Sequence, residues 1–129
     1  MWRLSEASNC GRKLGRNTHE RRSLFRNLIR SLILTERIRT TLAKAKAIRP
    51  LIDKLMTQVK ANTLSSRRRV LAVLTDKAAV NKLFKELAPR AKNRVSGFTR
   101  IRRLDQRRGD NSLMAQMEWV DKKAEVKAK

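Results

Sequence analysis

Apolar residues recur every three or four positions between residues 20 and 87, which is the spacing of helices that bury one face. This spacing predicts four helices, each preceded by a side chain that can cap it. The predicted N-caps are Asn17, Thr41, Ser65 or Ser66, and Asp76. Pro50 removes one backbone hydrogen bond inside the second helix and should kink that helix or divide it near Arg49. Pro89 marks the end of the fourth helix.

The same spacing predicts which side chains form the core. Each helix contributes one apolar stripe, and we expect the four stripes to pack together. These residues are Leu24, Leu28, Ile29, Leu32 and Ile33 of the first helix, Leu42, Ala45, Ile48, Ile52, Leu55, Met56 and Val59 of the second, Val70, Leu71 and Leu74 of the third, and Val80, Leu83, Phe84 and Leu87 of the fourth.

Beyond residue 90 the pattern changes to alternation, which is typical of strands with one buried face. An arginine-dense run at 98–104 is followed by a turn at 109–111 and by an alternating run at 113–119. The two runs should therefore pair as an antiparallel hairpin. The residues of the second run that we expect to face the core are Leu113, Ala115, Met117 and Trp119.

Residues 36–41, around Ile38, are predicted to form a brief edge strand or an extended connector, which is available as a third strand. The predicted fold class is therefore α/β, of the α+β two-layer type, with about four helices packed on a small two- to three-stranded sheet. A chain of 129 residues with 40% hydrophobic residues is long enough for one domain. We expect a globular domain at 18–120, a basic, flexible arm at 1–17 and a charged, disordered tail at 121–129.

The chain carries 33 Lys and Arg residues against 11 acidic residues, for a formal net charge of +22. Such self-repulsion destabilises a compact protein unless a partner neutralises it. Nucleic acid is the expected partner, because every phosphate that is neutralised also releases condensed counterions. A membrane is the weaker alternative, since no apolar run approaches the roughly 18 residues of a membrane span.

Two groups of arginines stand out as candidate phosphate contacts. Arg22, Arg26 and Arg30 recur every fourth residue on one side of the first helix, with no acidic residue between them. The cluster of residues 67–69, all arginine, lies at the start of the third helix, where cations oppose the helix dipole. An anion bound at that cluster would remove the conflict, so we expect a phosphate site there.

Catalytic chemistry is not expected from this sequence. Cys10 is the only cysteine and His19 the only histidine. The sequence therefore offers no cluster of residues for a histidine-dependent metal site or for a catalytic triad. No cofactor motif is present, and the glycines match neither a Walker loop nor a dinucleotide fingerprint. Trp119 is interpreted as a packing residue of the last strand rather than a platform for base stacking.

Six blocks of sequence, in the same order along the chain, resemble the bacterial large-subunit ribosomal protein L17 family. The blocks are GRKLGR at 11–16, Arg21 with LFRNL at 24–28, TTLAKAK at 40–46 with Arg49-Pro50, KLFKEL at 82–87 with Pro89-Arg90, GFTRI at 97–101, and RGDN at 108–111 with Met114-Ala115. The resemblance runs from about Gly11 to Val120 and so covers nearly the whole domain.

This resemblance implies a structural constituent of the large ribosomal subunit that is not an enzyme, binds ribosomal RNA and lies near the peptide exit. It also implies neighbouring large-subunit proteins as partners, including L32, and a cytoplasmic or alternatively an organellar ribosome. The family places basic RNA-facing residues at Arg12, Lys13, Arg16, Arg21, Arg26, Arg90, Arg94 and Arg100. Lys44, Lys92, Arg102 and Arg103, together with the two arginine groups above, complete the candidate RNA-binding set.

Two other functions stay open at this point. A free nucleoid- or RNA-associated protein would share the basic composition but would bind duplexes without specificity. A small nucleic-acid-processing enzyme would need a metal ion or a general base, whereas the acidic residues are scattered along the chain as predicted caps and strand residues. Sedimentation with ribosomal subunits separates the first alternative from the ribosomal interpretation, and a nuclease assay tests the second.

Overall fold

The computed structural model describes residues 13–122 of the 129-residue chain. Its helices are α1 (Thr18–Thr35), α2 (Leu42–Ala61), α3 (Leu64–Leu74) and α4, which comprises Lys77–Lys82, a π-helical segment Leu83–Leu87 and Ala88–Arg90. The strands are β1 (Arg37–Thr41), β2 (Thr99–Gln106) and β3 (Leu113–Trp119). The predicted α+β class, with about four helices on a small sheet, is confirmed. Most of the predicted arm and tail lies outside the described residues.

Three of the predicted helix caps are confirmed by hydrogen bonds from backbone N–H groups to the capping side chains. Asn17 Oδ1 accepts from the N–H of Glu20 at 2.9 Å, Thr41 Oγ1 accepts from Lys44, and Asp76 accepts from Ala78. These bonds satisfy donors that a helix cannot pair within itself. Local sequence therefore determines where α1, α2 and α4 begin.

The predicted N-cap of α3, Ser65 or Ser66, is wrong by two or three residues. Thr63 is the N-cap: its Oγ1 accepts from the N–H of Ser66 at 3.1 Å, and Ser66 Oγ accepts from the N–H of Thr63 at 2.9 Å. This reciprocal arrangement is a capping box in which serine takes the place usually held by Glu or Gln. Three helical residues, 64–66, therefore precede Arg67, so the arginine cluster begins at the fourth position of the helix.

Pro50 lies inside α2 without dividing it, because α2 is one helix from Leu42 to Ala61. The apolar face continues across the proline, and both Ile48 and Leu51 are completely buried. Packing of that face holds the helix together despite the missing N–H group. Pro89 is likewise inside the last turn of α4, which continues to Arg90.

The three strands form an antiparallel sheet in the order β1-β3-β2, which confirms both the predicted hairpin and the predicted third strand. Ile38, Met117 and Ile101 lie side by side across the sheet. Met117 is completely buried, and Ile38 and Ile101 pack against the same core as the helices. One face of the sheet therefore packs against the helices.

Trp119 joins the sheet to α1, as predicted for a packing residue. Its side chain is buried, and Nε1 donates to the carbonyl oxygen of Leu32 at 3.2 Å. The core also contains Phe25, which we did not predict, whereas Leu24 and Leu28 are only half-buried. Six apolar residues of α1 form one wide stripe along the helix. The sequence alone does not show which of them lie at the edges of this stripe and are therefore only partly buried.

Further corrections concern the ends of elements. Leu42 is half-buried, Leu71 is 37% exposed and Leu113 is 54% exposed, although all three were expected in the core. Leu113 pairs with Gln106 beyond an irregularity in the β2–β3 register, at the end of the hairpin that leads to its turn. Periodicity shows which side of a helix or strand a residue occupies. It does not show whether a neighbouring element reaches far enough to cover that residue.

Candidate nucleic-acid interface

The face of the sheet that points away from the core, here called the open sheet face, is dominated by arginine. Residues on a strand alternate between the two faces of the sheet. Ile38, Met117 and Ile101 face the core, so the residues next to them along each strand lie on the opposite face. The two cross-strand rows of the open sheet face are Arg37–Glu118–Arg100 and Arg39–Gln116–Arg102. Four cations from the two outer strands therefore flank two polar residues on the central strand.

Glu118 organises one of these rows. Its carboxylate Oε1 accepts from Arg100 Nε at 3.2 Å and from Arg100 Nη2 at 2.7 Å, and Oε2 lies 3.7 Å from Lys122 Nζ. The hydrogen bonds from Arg100, together with the charges of Lys122 and Arg100, hold the pKa of Glu118 below its ordinary value of 4.5. The Glu118 side chain is only 5% exposed, whereas the Arg100 side chain is 53% exposed. Arg100 thus keeps its outer surface available.

Arg37, Arg39 and Arg102 are exposed, and their side chains have no hydrogen-bond or ion-pair partner within residues 13–122. Arg102 was in the predicted site, but Arg37 and Arg39 were not. The alternation of Arg37-Ile38-Arg39 carried the signal, because a core-facing Ile38 places both neighbours on the opposite side. The pairing of β1 with β3 is what aligns them with the arginines of β2.

The predicted arginine stripe on α1 is largely engaged by the protein itself. Arg26 Nε donates to the carbonyl oxygen of Val73 at 2.9 Å, and Arg30 Nε lies 2.6 Å from Asp76 Oδ2. The bond to Arg30 lowers the pKa of the Asp76 carboxyl group. Arg22, the third member, is half-buried. Arg26 and Arg30 therefore hold α1 against the junction between α3 and α4, in addition to any contact with a ligand.

The arginine cluster of α3 divides into two kinds of residue. Arg67 lies over the ring of Phe84, with its guanidinium carbon 4.9 Å from the ring centroid. Arg68 and Arg69 are exposed and have no side-chain partner within the described part of the chain. Since Arg67 is the fourth residue of the helix, and its N–H already donates to the Thr63 carbonyl oxygen, the cluster begins just beyond the unpaired N–H groups of the terminus. The dipole argument for a phosphate there is accordingly weakened.

Arg90 is anchored inside the protein. Its Nη1 lies 3.1 Å from Glu36 Oε2, and its Nη2 lies 3.3 Å from Glu36 Oε1 and 3.2 Å from Glu86 Oε2. Lys82 Nζ lies 3.3 Å from the same Glu36 carboxylate. The bonds from Arg90 lower the pKa of Glu36, which ends α1 in a left-handed conformation with φ 65°. This network connects α4 to the junction between α1 and β1.

Arg94 is also paired, because its Nε and Nη2 donate to the carboxylate of Asp121 at 3.1 and 3.3 Å. The loop that carries Arg94 is fixed from the helical side by Lys60, whose Nζ donates to the Arg94 carbonyl oxygen. Lys60 Nζ also lies 5.5 Å from the centre of the Phe98 ring. Lys92, in the same loop, is exposed and unpaired within residues 13–122.

The basic residues before α1 are only partly described. Arg12 lies outside the described residues, whereas Lys13 and Arg16 are exposed. Arg21 is buried at 8% exposure, and its Nη1 donates to the carbonyl oxygen of Arg16 at 3.3 Å. Arg21 therefore fixes the entry of the chain into α1, with little of its surface left for a ligand.

Lys44 and Arg103 lie near the other end of the sheet. Lys44 is half-buried in the first turn of α2, and Arg103 is exposed on β2 opposite Ala115. Arg103 lines an open groove of about 540 Å³ together with Leu42 and Leu113. The candidate cations thus belong to several surfaces, and among them only Arg100 and Arg102 belong to the two rows of the open sheet face.

Within residues 13–122 no group of three or more His, Cys, Asp or Glu side chains is placed to hold a metal ion. Among the same residues, no helix is both long and apolar enough to cross a bilayer. The fold and the surface together define a small basic α+β protein whose exposed arginines and lysines suit a polyanion.

Residues 24–120 match the family described as ribosomal protein L17, and the chain belongs to that family. It is similar to the large ribosomal subunit protein bL17 of Thermomicrobium roseum, with 51% identity over 111 residues that cover 86% of this chain and 95% of the relative. The corresponding protein of Methylocella silvestris is 43% identical, with 94% of this chain and 85% of the relative covered. That of Trichlorobacter lovleyi is 44% identical, with 91% and 94% covered.

The resemblance seen in the sequence blocks is therefore confirmed. The family consists of structural proteins of the ribosome, so the expectation that the chain is not an enzyme is confirmed as well.

Proposed function

We propose that this protein is a structural constituent of the large ribosomal subunit and that it binds ribosomal RNA through unpaired cations, chiefly those of the open sheet face. The observation that carries the proposal is the alignment of Arg37 and Arg39 on one outer strand with Arg102 on the other. The net charge of +22 and the names of the bacterial relatives support the same conclusion. Its place is the ribosome of the bacterial cytoplasm.

The geometry favours contact with several phosphates rather than with one. Arg37 and Arg39 are two residues apart on β1, a separation of about 7 Å, and Arg102 is two strands away, about 10 Å. Such spacing distributes positive charge over the open sheet face. Each phosphate that is neutralised releases counterions and reduces the repulsion between RNA segments that the protein holds together. Binding and packing of RNA follow without any catalytic step.

The candidate RNA contacts form two groups. Arg30, Arg90, Arg94 and Arg100 have acidic partners in the protein, so we propose that they position neighbouring elements and contribute to RNA binding only with their remaining surface. Of the other candidates, those that are exposed and have no side-chain partner within residues 13–122 are proposed as more direct contacts. These are Lys13, Arg16, Arg68, Arg69, Lys92, Arg102 and Arg103, with Arg12 of the arm added from the family resemblance.

Neighbouring large-subunit proteins are the second class of proposed partner. Contact with L32, and a position near the peptide exit, rest on the family resemblance alone. Chemical cross-linking of assembled subunits, followed by mass spectrometry, tests this contact. Cross-links from the exposed Lys92 or Lys46 to L32 would support it, and cross-links only to other proteins would contradict it.

Sedimentation of the tagged full chain with ribosomal subunits tests the proposed function. The wild type should travel with the large subunit, and Arg37→Gln/Arg39→Gln/Arg102→Gln should dissociate at lower salt. A matched control replaces three exposed lysines outside the sheet, Lys54, Lys77 and Lys85, with glutamine.

Because both variants lose three charges, a larger effect of the arginine variant assigns the contact to the open sheet face. Equal effects of the two variants contradict that assignment. Failure of the wild type to sediment with the subunit, combined with equal binding to unrelated duplexes, would replace the ribosomal function with that of a free RNA-associated protein.

A further inference from the structure

A shallow groove of about 270 Å³ lies between the end of α2 and the end of α4. Its walls are apolar and consist of Val59, Phe84, Ala88 and Pro89. Beside it, α2 ends at Asn62 in a left-handed conformation, φ 47°, and α4 continues to Arg90 through its π-helical segment. This surface is separate from the open sheet face, which belongs to the strands.

The rim of the groove is polar and cationic. Lys60, Asn62 and Lys92 also line it, and the side-chain amide of Asn62 has no hydrogen-bond partner within residues 13–122. None of the described residues that line the groove is acidic. Phe84, in the wall, carries the guanidinium of Arg67 against its ring. The apolar slot is thus bordered by Lys60, whose Nζ already donates to the Arg94 carbonyl oxygen, by the unpaired Lys92, and by an amide that can both donate and accept hydrogen bonds.

We propose that this groove holds one unstacked base of a single-stranded RNA segment, an inference that rests on the proposed function as an RNA-binding protein. The accessible apolar surface of the groove, which comes mainly from Ala88 and Pro89, can pack against the face of a base, and the Asn62 amide can pair with its edge. Lys92 is placed to neutralise the adjoining phosphate. Charge complementarity distinguishes this occupant from an apolar peptide, because RNA brings a phosphate to the unpaired Lys92 whereas an apolar peptide brings no negative charge.

Stacking on a protein surface tolerates any base, whereas an amide can distinguish the edges of different bases. The groove therefore binds single-stranded RNA with a modest base preference. A base inside a duplex cannot enter it, because its faces and its pairing edge are already occupied. The groove and the open sheet face thus recognise different features of RNA, a loop or bulge in the first case and phosphate density in the second.

The direct test fills the groove without changing charge. Ala88→Leu in the full chain should weaken binding to a short labelled single-stranded RNA by about tenfold, since stacking contacts of this kind have that effect when removed. The slope of affinity against salt should stay unchanged, because no cation is lost. Ala72→Leu, on the exposed side of α3, is the matched control and should bind as the wild type does. Duplex RNA of the same length should bind all three proteins equally.

A second variant removes the amide while retaining the backbone conformation. Asn62→Gly keeps a residue that adopts positive φ without strain, and it should reduce single-strand affinity by about threefold to tenfold. Melting curves identify a variant that fails to fold, and Asn62→Gly then decides the outcome if Ala88→Leu is unfolded.

Unchanged single-strand affinity in a folded Ala88→Leu variant overturns the proposal, and so does equal weakening for duplex and single strand. Neither result affects sedimentation of the wild type with the large subunit, which is the separate test of the proposed function.

Discussion

Glu118 and Arg100 form an ion pair in which the carboxylate is buried and the guanidinium is largely exposed, with side-chain exposures of 5% and 53%. Arg100 Nη2 lies 2.7 Å from Glu118 Oε1. A buried carboxylate without a partner would cost free energy, so Arg100 and Lys122 stabilise it where it stands. In return, the carboxylate fixes the orientation of an arginine on the open sheet face.

Replacing Glu118 with Gln should reduce the acid sensitivity of folding. Because the native pKa of Glu118 is below 4.5, the folded chain binds fewer protons than the unfolded chain as the pH falls past that value. The stabilisation by Glu118 is fully present above pH 4.5 and is lost as the pH falls through the native pKa. Urea unfolding at a series of pH values should therefore show a shallower decline for the variant. Asp105→Asn, at an exposed position, should follow the wild type.

Arg26→Met should lower the free energy of unfolding by about 1 to 3 kcal/mol, because methionine fills similar space but cannot donate to the Val73 carbonyl oxygen. Arg69→Met provides the control: an exposed side chain without a partner should change stability by less than about 0.5 kcal/mol. Denaturant unfolding measures both. Equal stability of the two variants would show that the Arg26 hydrogen bond has no net effect on folding.

Ile29→Ala should destabilise the protein by about 2 to 5 kcal/mol, since the side chain is 1% exposed and its truncation leaves a cavity. The half-buried Leu28 was first expected to be fully buried, and Leu28→Ala should now cost less than about 2 kcal/mol. Thermal melting of the two variants tests the orientation of α1. A larger loss for Leu28→Ala would mean that α1 is rotated from the position described.

Arg68→Gln/Arg69→Gln should weaken RNA binding without altering the melting temperature, because both side chains are exposed and unpaired. The salt slope should fall by about 0.7 to 0.9 for each phosphate contact that is lost. Arg67→Gln should in addition lower stability by about 0.5 to 1 kcal/mol, through loss of its contact with Phe84. An unchanged salt slope in the double variant would remove the α3 cluster from the proposed RNA surface.

Local features of this fold are readable from its sequence. Asn17, Thr41 and Asp76 cap helices through bonds that span only two or three residues. The hairpin follows from alternation in two neighbouring runs. Each of these depends on residues that are close in the chain, so a single pattern contains the necessary information.

Partners that are distant in the chain could not be predicted in the same way. Arg30 meets Asp76, and Arg90 meets Glu36, across separations of 46 and 54 residues. The sequence correctly shows that no acidic residue of α1 lies between Arg22 and Arg30. It does not show that other elements bring acceptor groups against this helix. Arg37 and Arg39 were missed for the converse reason, since their importance depends on the strand that lies between them and β2.

The strand β1 lies at an edge of the sheet, and this position affects the tendency of the free protein to self-associate. An uncovered edge strand can pair with the edge of another copy and so begin aggregation. Arg37 and Arg39 project from this edge strand, and the arginines of β2 border the opposite edge. A second copy that paired at either edge would bring arginines close to arginines, so the like charges should oppose such pairing.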